Sequence, residues 1–196
     1  IVMVRYKPIA EIAHVVPIPA LLRHTKANSI DLTDLPPNVK VIPVPLFYLP
    51  TDSGYKKLGE KHFRAADRII RDEGIRFDLI HAHFAWSAGY VGANLKKHYD
   101  VPFILTAHGY DVYDLPFRDT QWRRKLSYVY NRADEVITVS RNNRHYITQL
   151  DSRSEIHVIP NGFLTDLFYP RNIEDCRKRL ELPFDKYIVL TVGNLT

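Results

Sequence analysis

Leu105-Thr106-Ala107-His108-Gly109-Tyr110-Asp111 follows directly on the apolar run Val101-Pro102-Phe103-Ile104, and the reading of this stretch decides the rest. An apolar run bounded by Pro102 and Gly109 reads as a buried parallel strand that ends at a loop, leaving His108 and Asp111 just past its carboxyl end. Ligands of open α/β sheets bind at that edge. Asp78-Leu79-Ile80-His81-Ala82-His83-Phe84 is a second segment of the same kind, separated from the first by a helix-like stretch. Two histidine-tipped strands are therefore expected side by side, opening into one crevice.

Outward from this pair the pattern continues. Towards the amino terminus, Leu58, Phe63, Ala66, Ile69 and Ile70 recur near helical spacing between Tyr55 and Glu73, with Gly74 as the stop. Between the two strands a helix is expected over about Ser87 to His98. Beyond the loop, Thr120 is expected to cap a helix running to Arg132, followed by a strand over Asp134 to Val139. Ser140 then caps a helix from Arg141 to Leu150, and Ile156 to Ile159 makes a further strand, ended by the turn signal Pro160-Asn161-Gly162. Strand and helix alternate, which is the parallel crossover pattern of α/β proteins.

The two ends read differently. Residues 1 to 53 hold eight of the thirteen prolines and no glycine, so they cannot be mostly helix. A short strand over Ile1 to Arg5 and an extended or edge strand over Val39 to Leu49 are expected there, with loops between, where Pro17 and Pro19 interrupt any periodicity. From Phe163 to Pro183 the chain reads as a linker with one short basic helix around Glu174 to Leu180, and Tyr187 to Val192 reads as a fresh strand.

Composition bounds the function. A chain of 196 residues with 45% hydrophobic content carries an ordinary core. Its one cysteine, Cys176, excludes an intrachain disulfide, and no run approaches the roughly 20 apolar residues of a membrane span. The net charge is +5, and Arg118, Arg123, Arg124, Lys125 and Arg132 against Asp119 place most of it in residues 118–132. Such a segment serves a solvated helix face, an anionic surface, a phosphorylated substrate or nucleic acid.

Five motifs in order resemble one family: Asp78-Leu-Ile-His-Ala-His83, Thr106-Ala-His-Gly-Tyr-Asp111, Ala133-Asp-Glu-Val-Ile-Thr-Val-Ser140, Val158-Ile-Pro-Asn-Gly162 with Phe168-Tyr-Pro170, and Val192-Gly-Asn-Leu195. Together they resemble the amino-terminal half of family 4 retaining glycosyltransferases of the GT-B fold. The resemblance implies a Rossmann-like three-layer α/β sandwich with a mainly parallel sheet. It implies an acceptor-side domain over residues 1–162, then over 163–196 a linker and the first strand of a carboxyl-terminal donor-binding domain. The activity implied is transfer of a sugar from a nucleotide-sugar donor to a hydroxyl of a carbohydrate or lipid-linked acceptor, with this half alone inactive. No cofactor is implied beyond the donor as substrate; a cytoplasmic location is expected, and the basic segment 118–132 is expected to meet an anionic acceptor or a peripheral inner-membrane surface rather than nucleic acid.

By the same resemblance His108 is the cleft histidine near the donor sugar and phosphate, and His83, Gly109, Asp111, Ser140 and Asn161 are candidate substrate-binding residues. Two departures accompany it. No glycine precedes Gly54 to supply the family's glycine-rich phosphate loop, and Asn194 stands where many members have arginine. Read from the residues alone, two rivals remain. His81, His83, His108 and Asp111 have the ligand types of a metal-dependent hydrolase, and segment 118–132 has the charge of a nucleic-acid module. Ser140 lacks the Gly-x-Ser-x-Gly surroundings of a hydrolase nucleophile.

Overall fold

β1 (Val2–Tyr6) and β2 (Val41–Pro45) form a parallel two-stranded ribbon in a computed structural model that describes residues 1–8, 10–11, 25–26, 30–150 and 152–192. The stretch around Pro17 and Pro19 and the Gly193-Asn194-Leu195 end of the last motif lie outside the described residues. The chain divides into two compact units, residues 1–160 and 161–196. Pro43 and Pro45 lack a backbone N–H, which suits β2 to this short ribbon rather than to the middle of a sheet.

In the first unit α1 (Asp52–Asp72) begins where the Thr51 side chain accepts a hydrogen bond from Gly54 N at 3.1 Å. Its buried residues Leu58, His62, Ala66 and Ile70 fall four apart and form one stripe. Gly74, at φ +59°, takes the left-handed conformation that ends the helix. β3 (Ile80–His83) follows, then a π-type turn over Ala85–Gly89 that leads into α2 (Tyr90–Tyr99), and then β4 (Phe103–Ala107).

Past β4 the chain makes two short helices, α3 (Tyr110–Tyr113) and α4 (Leu115–Arg118), before α5 (Thr120–Arg132). The sequence reading leaves this stretch as loop, because four-residue helices carry no periodicity. It also places the cap of α5 one residue too late. Asp119, not Thr120, accepts from the backbone N–H groups of Gln121 and Trp122, both at 2.8 Å. β5 (Glu135–Thr138), α6 (Arg141–Thr148) and β6 (Glu155–Val158) complete the unit.

β3, β4, β5 and β6 form a four-stranded sheet in sequence order, every pair parallel, with His83 in register with Thr106 and Ala107 with Thr138. The architecture is an α/β sandwich built on parallel strands, as expected. One face of the sheet contributes Ala82, Phe103, Leu105, Ala107 and Val136 to a core shared with Trp122, Leu126, Val129 and Tyr130 of α5 and with Ile147 of α6. Fully burying a side chain such as Leu105 or Leu126 contributes roughly 1.5–3 kcal/mol, so this face fixes the register of the strands and therefore of their tips.

The second unit holds α7 (Ile173–Arg179), capped by Asn172, whose side chain accepts from Glu174 N and Asp175 N. Two expectations are corrected here. Residues 187–192 form no strand and are exposed, since a strand exists only in a ladder and this unit offers no second strand among its described residues. No turn closes at Pro160–Gly162 either. The turn comes later, where Leu167 N and Phe168 N donate to Leu164 O.

Candidate functional site

The carboxyl ends of β3, β4 and β5 carry His83, His108 and Ser140 on one edge of the sheet. His83 Nδ1 and His108 Nε2 are 3.0 Å apart. His81, two residues earlier on the same face, turns instead to the neighbouring strand, its Nε2 lying 2.8 Å from Thr106 Oγ1.

The loop behind His108 is braced from three sides. Asp111 is buried, and its two carboxylate oxygens accept from the backbone N–H of Ala85 and of Gly109. The Tyr130 hydroxyl donates to Asp111 O at 3.1 Å, and full burial, with Asp111 adding to it, raises that phenol well above its ordinary range. Asn143, also buried, donates through Nδ2 to His108 O at 3.2 Å. A Cβ added to Gly109 would sit 3.1 Å from the Tyr113 ring, so this turn is closely packed as well.

Phe84 holds the other flank. It has φ +69°, a conformation that costs a non-glycine residue roughly 1–3 kcal/mol and persists only where neighbours enforce it. Here the enforcers are hydrogen bonds from Phe84 N to Thr106 O and from Gly89 N to Phe84 O, at 2.8 and 2.9 Å. The strained turn lays the Phe84 ring against His108, with 4.6 Å between ring centres.

The remaining candidates take separate places. Ser140 caps α6 by accepting from Asn143 N at 3.1 Å, as its sequence position suggests. Gly109 opens α3. Asn161 is the first residue of the second unit and is exposed. Asp111, which the sequence offers equally as an acceptor-binding residue or as the closer of an Asx-turn, is buried with its carboxylate between two backbone N–H donors, where an anionic side chain is well satisfied. Asn143, Tyr130 and Phe84 are missed by the sequence reading; no local signal marks them, since their roles depend on residues 19 to 35 positions away or on a backbone angle.

His81, His83, His108 and Asp111 do not converge as metal ligands. His81 is engaged by Thr106, His83 and His108 by each other, and Asp111 by backbone N–H groups. Among the described residues the group whose ligand atoms do approach one another is Glu135, Glu155 and His157, near the amino ends of β5 and β6. The hydrolase arrangement is therefore not assembled. An apolar hollow of about 760 Å³ lies between β1 and β3, lined by Met3, Ile70, Ile80 and Val91 and reaching His83.

Segment 118–132 is largely committed within the fold. Arg118 pairs with Asp114 and lies over Tyr110, Arg123 donates to Gln149 O and lies over Phe117, Lys125 lies over Trp86 and Arg132 over Tyr128. Cations held over rings in this way serve packing, which favours the helix-face reading over a nucleic-acid platform.

A parallel α/β unit whose polar tips gather at the carboxyl edge, continued by a short second unit, has the architecture of an amino-terminal half-domain of the GT-B type. Residues 18–167 match the Glycosyltransferase Family 4 profile, and the chain belongs to that family. A Bacillus subtilis protein provisionally named a teichuronic acid biosynthesis glycosyltransferase, TuaC, is 30% identical over 161 residues, covering 80% of this chain and 41% of its own length. The D-inositol 3-phosphate glycosyltransferase of Acidothermus cellulolyticus is 30% identical over 187 residues, covering 83% of this chain and 40% of its own length. Among solved structures, sucrose-phosphate synthase from Thermosynechococcus elongatus superposes with a TM-score of 0.58 at 27% identity, over 81% of this chain and 41% of that one. The chain thus spans about two fifths of the length of each of these relatives.

Proposed function

We propose that this chain is the acceptor-side half of a retaining glycosyltransferase that moves a sugar from a nucleotide-sugar donor to a hydroxyl of a carbohydrate or lipid-linked acceptor. Residues 1–162 form the acceptor side, and residues 163–196 lead towards a carboxyl-terminal donor-binding half. The observation that carries the reading is His108: its backbone is clamped by Asn143, its ring is set by His83 and Phe84, and it stands on the edge where α/β sheets take ligands. Family membership supports the same reading.

Transfer from a nucleotide sugar develops negative charge on the departing diphosphate. A donor that is already oriented stabilises that charge without reorganising, and this is the part assigned to His108. His83, Gly109 and Ser140 border the acceptor, Asp111 holds the loop from below, and Asn161 leads into the linker. The aromatic rings of Phe84, Tyr110 and Tyr113 are exposed near this edge and suit an apolar or sugar-ring face of the acceptor. Among the described residues no helix is long and apolar enough to cross a membrane. A cytoplasmic enzyme that meets a lipid-linked acceptor at the inner membrane surface is consistent with these features.

The test uses the longer, two-domain protein. His108→Ala is expected to lower kcat by roughly two orders of magnitude while the melting temperature moves little, as loss of one preorganised donor does. Near-normal turnover in a folded variant removes His108 from the mechanism.

A further inference from the structure

We infer that Glu135, Glu155 and His157 form a site for one divalent cation of the zinc kind, which clips the edge strand β6 to β5. The site lies at the end of the sheet opposite to His83 and His108, so the inference goes beyond the glycosyl-transfer reading and does not depend on it.

The parallel ladder brings the three residues together. Glu135 is in register with Glu155, and Ile137 with His157. Successive side chains of a strand alternate between faces, so Glu155 and His157, two apart on β6, share a face, and Glu135 stands on that same face of β5. The intervening positions point the other way, for Val136 is part of the core and Ile156 packs against it. One ligand atom from each of the three side chains lies within 4.8 Å of the other two, and His157 Nε2 is 2.7 Å from Glu135 Oε2. Ligands of a tetrahedral zinc ion, each about 2.1 Å from the metal, stand about 3.4 Å from one another. Small side-chain rotations reach that spacing, because none of the three residues is buried.

Charge supplies the reason for a cation. Glu135 and Glu155 face each other directly across the ladder, and like charges so placed are destabilising. Among the described residues no lysine or arginine pairs with either carboxylate; the one side chain that meets them is His157, on Glu135. A divalent cation offsets both negative charges and takes the neutral imidazole as a nitrogen ligand. Two carboxylates with one imidazole favour zinc over magnesium or calcium, which prefer oxygen ligands throughout. Three protein ligands leave the fourth position to water.

The place of the site in the chain gives its consequence. β6 pairs with β5 alone and is the last strand before the second unit begins at Asn161. A cation held by the first and third residues of β6 and the first of β5 fastens that edge at its amino end.

Calorimetric titration of the chelator-treated 196-residue chain with zinc chloride at pH 7.5 tests the site. One zinc ion per chain is expected, and magnesium chloride at the same concentration is expected to give no binding. Glu155→Gln and His157→Ala should each weaken zinc binding by more than the roughly tenfold that loss of even an outer-shell partner costs. Metal-free Glu155→Gln should melt no lower than the wild type, since it removes a like-charge contact, so its lost affinity is not a failure to fold. Zinc should raise the melting temperature of the wild type and leave that of Glu155→Gln nearly unmoved. His83→Ala, which alters the histidine pair at the other end of the sheet, should bind zinc as the wild type does. No binding overturns the inference. Binding that survives Glu155→Gln and His157→Ala, or that is lost in His83→Ala, marks an adventitious ion only and overturns it as well.

Discussion

Two histidines of this chain each bond a neighbour at about the same distance, yet one is closed off and the other stands open. His62 of α1 is buried, with Nδ1 2.9 Å from Ser87 Oγ, and Arg5 donates to that same oxygen at 3.4 Å. His83 of β3 bonds His108 at 3.0 Å in an exposed setting. Burial, assisted by the Arg5 charge, lowers the His62 pKa to about 4, so this ring remains neutral over the whole physiological range. At the open pair, water reaches the exposed His83 ring. A similar contact distance therefore occurs both where solvent is excluded and where it is admitted.

The largest stability effect is expected at the closed site. The unfolded chain takes up the His62 proton near pH 6.5 and the folded chain only near pH 4. Between those values the unfolded state binds more protons, so stability is fully present above pH 6.5 and is lost as the pH falls towards 4. The loss amounts to about 3 kcal/mol. Urea midpoints of wild type and His62→Gln between pH 7 and pH 4 check it, and an equally steep slope in the variant would break the contrast. His83→Gln, by comparison, is expected to leave the slope nearly unchanged because that ring is exposed.

A smaller effect is expected where the open site meets the core. Asp111→Asn replaces a carboxylate that accepts from two backbone N–H groups with an amide that satisfies one of them, at a cost of about 2 kcal/mol. Chemical denaturation measures it. A loss below the error of that measurement would mean that Asp111 does not brace the loop and would return it to the binding surface.

The smallest effect is expected at Ser140. Ser140→Ala removes the side-chain cap of α6 and should cost about 1 kcal/mol. A thermal melt reads this directly. If turnover of the two-domain protein falls tenfold or more while the melt barely moves, Ser140 belongs with His108 at the open site rather than with the scaffold.

The pattern from residue 78 to residue 158 was legible because hydrophobic periodicity and strand-end residues are local properties. Ile80–His83, Phe103–Ala107 and Glu135–Thr138 each announce themselves within a handful of residues. The strand expected at 187–192 shows the limit of that kind of reading, for an apolar run has strand potential but becomes a strand only when a partner edge is present. Thr120 and Asp119 both suit a cap, and the backbone path into α5 selected Asp119.

The sequence by itself determined that parallel strands tipped with His83, His108 and Ser140 would share an edge, because crossover connections and the two-residue period of a strand leave little choice. Only the tertiary structure decided what each tip does there. It turned Asp111 inward to Ala85 and Gly109, brought Asn143 from 35 residues away onto the His108 carbonyl, and faced His83 Nδ1 to His108 Nε2. These outcomes hang on distances of a few tenths of an ångström. Such quantities are set by the packing of the whole unit, which no local stretch of sequence encodes.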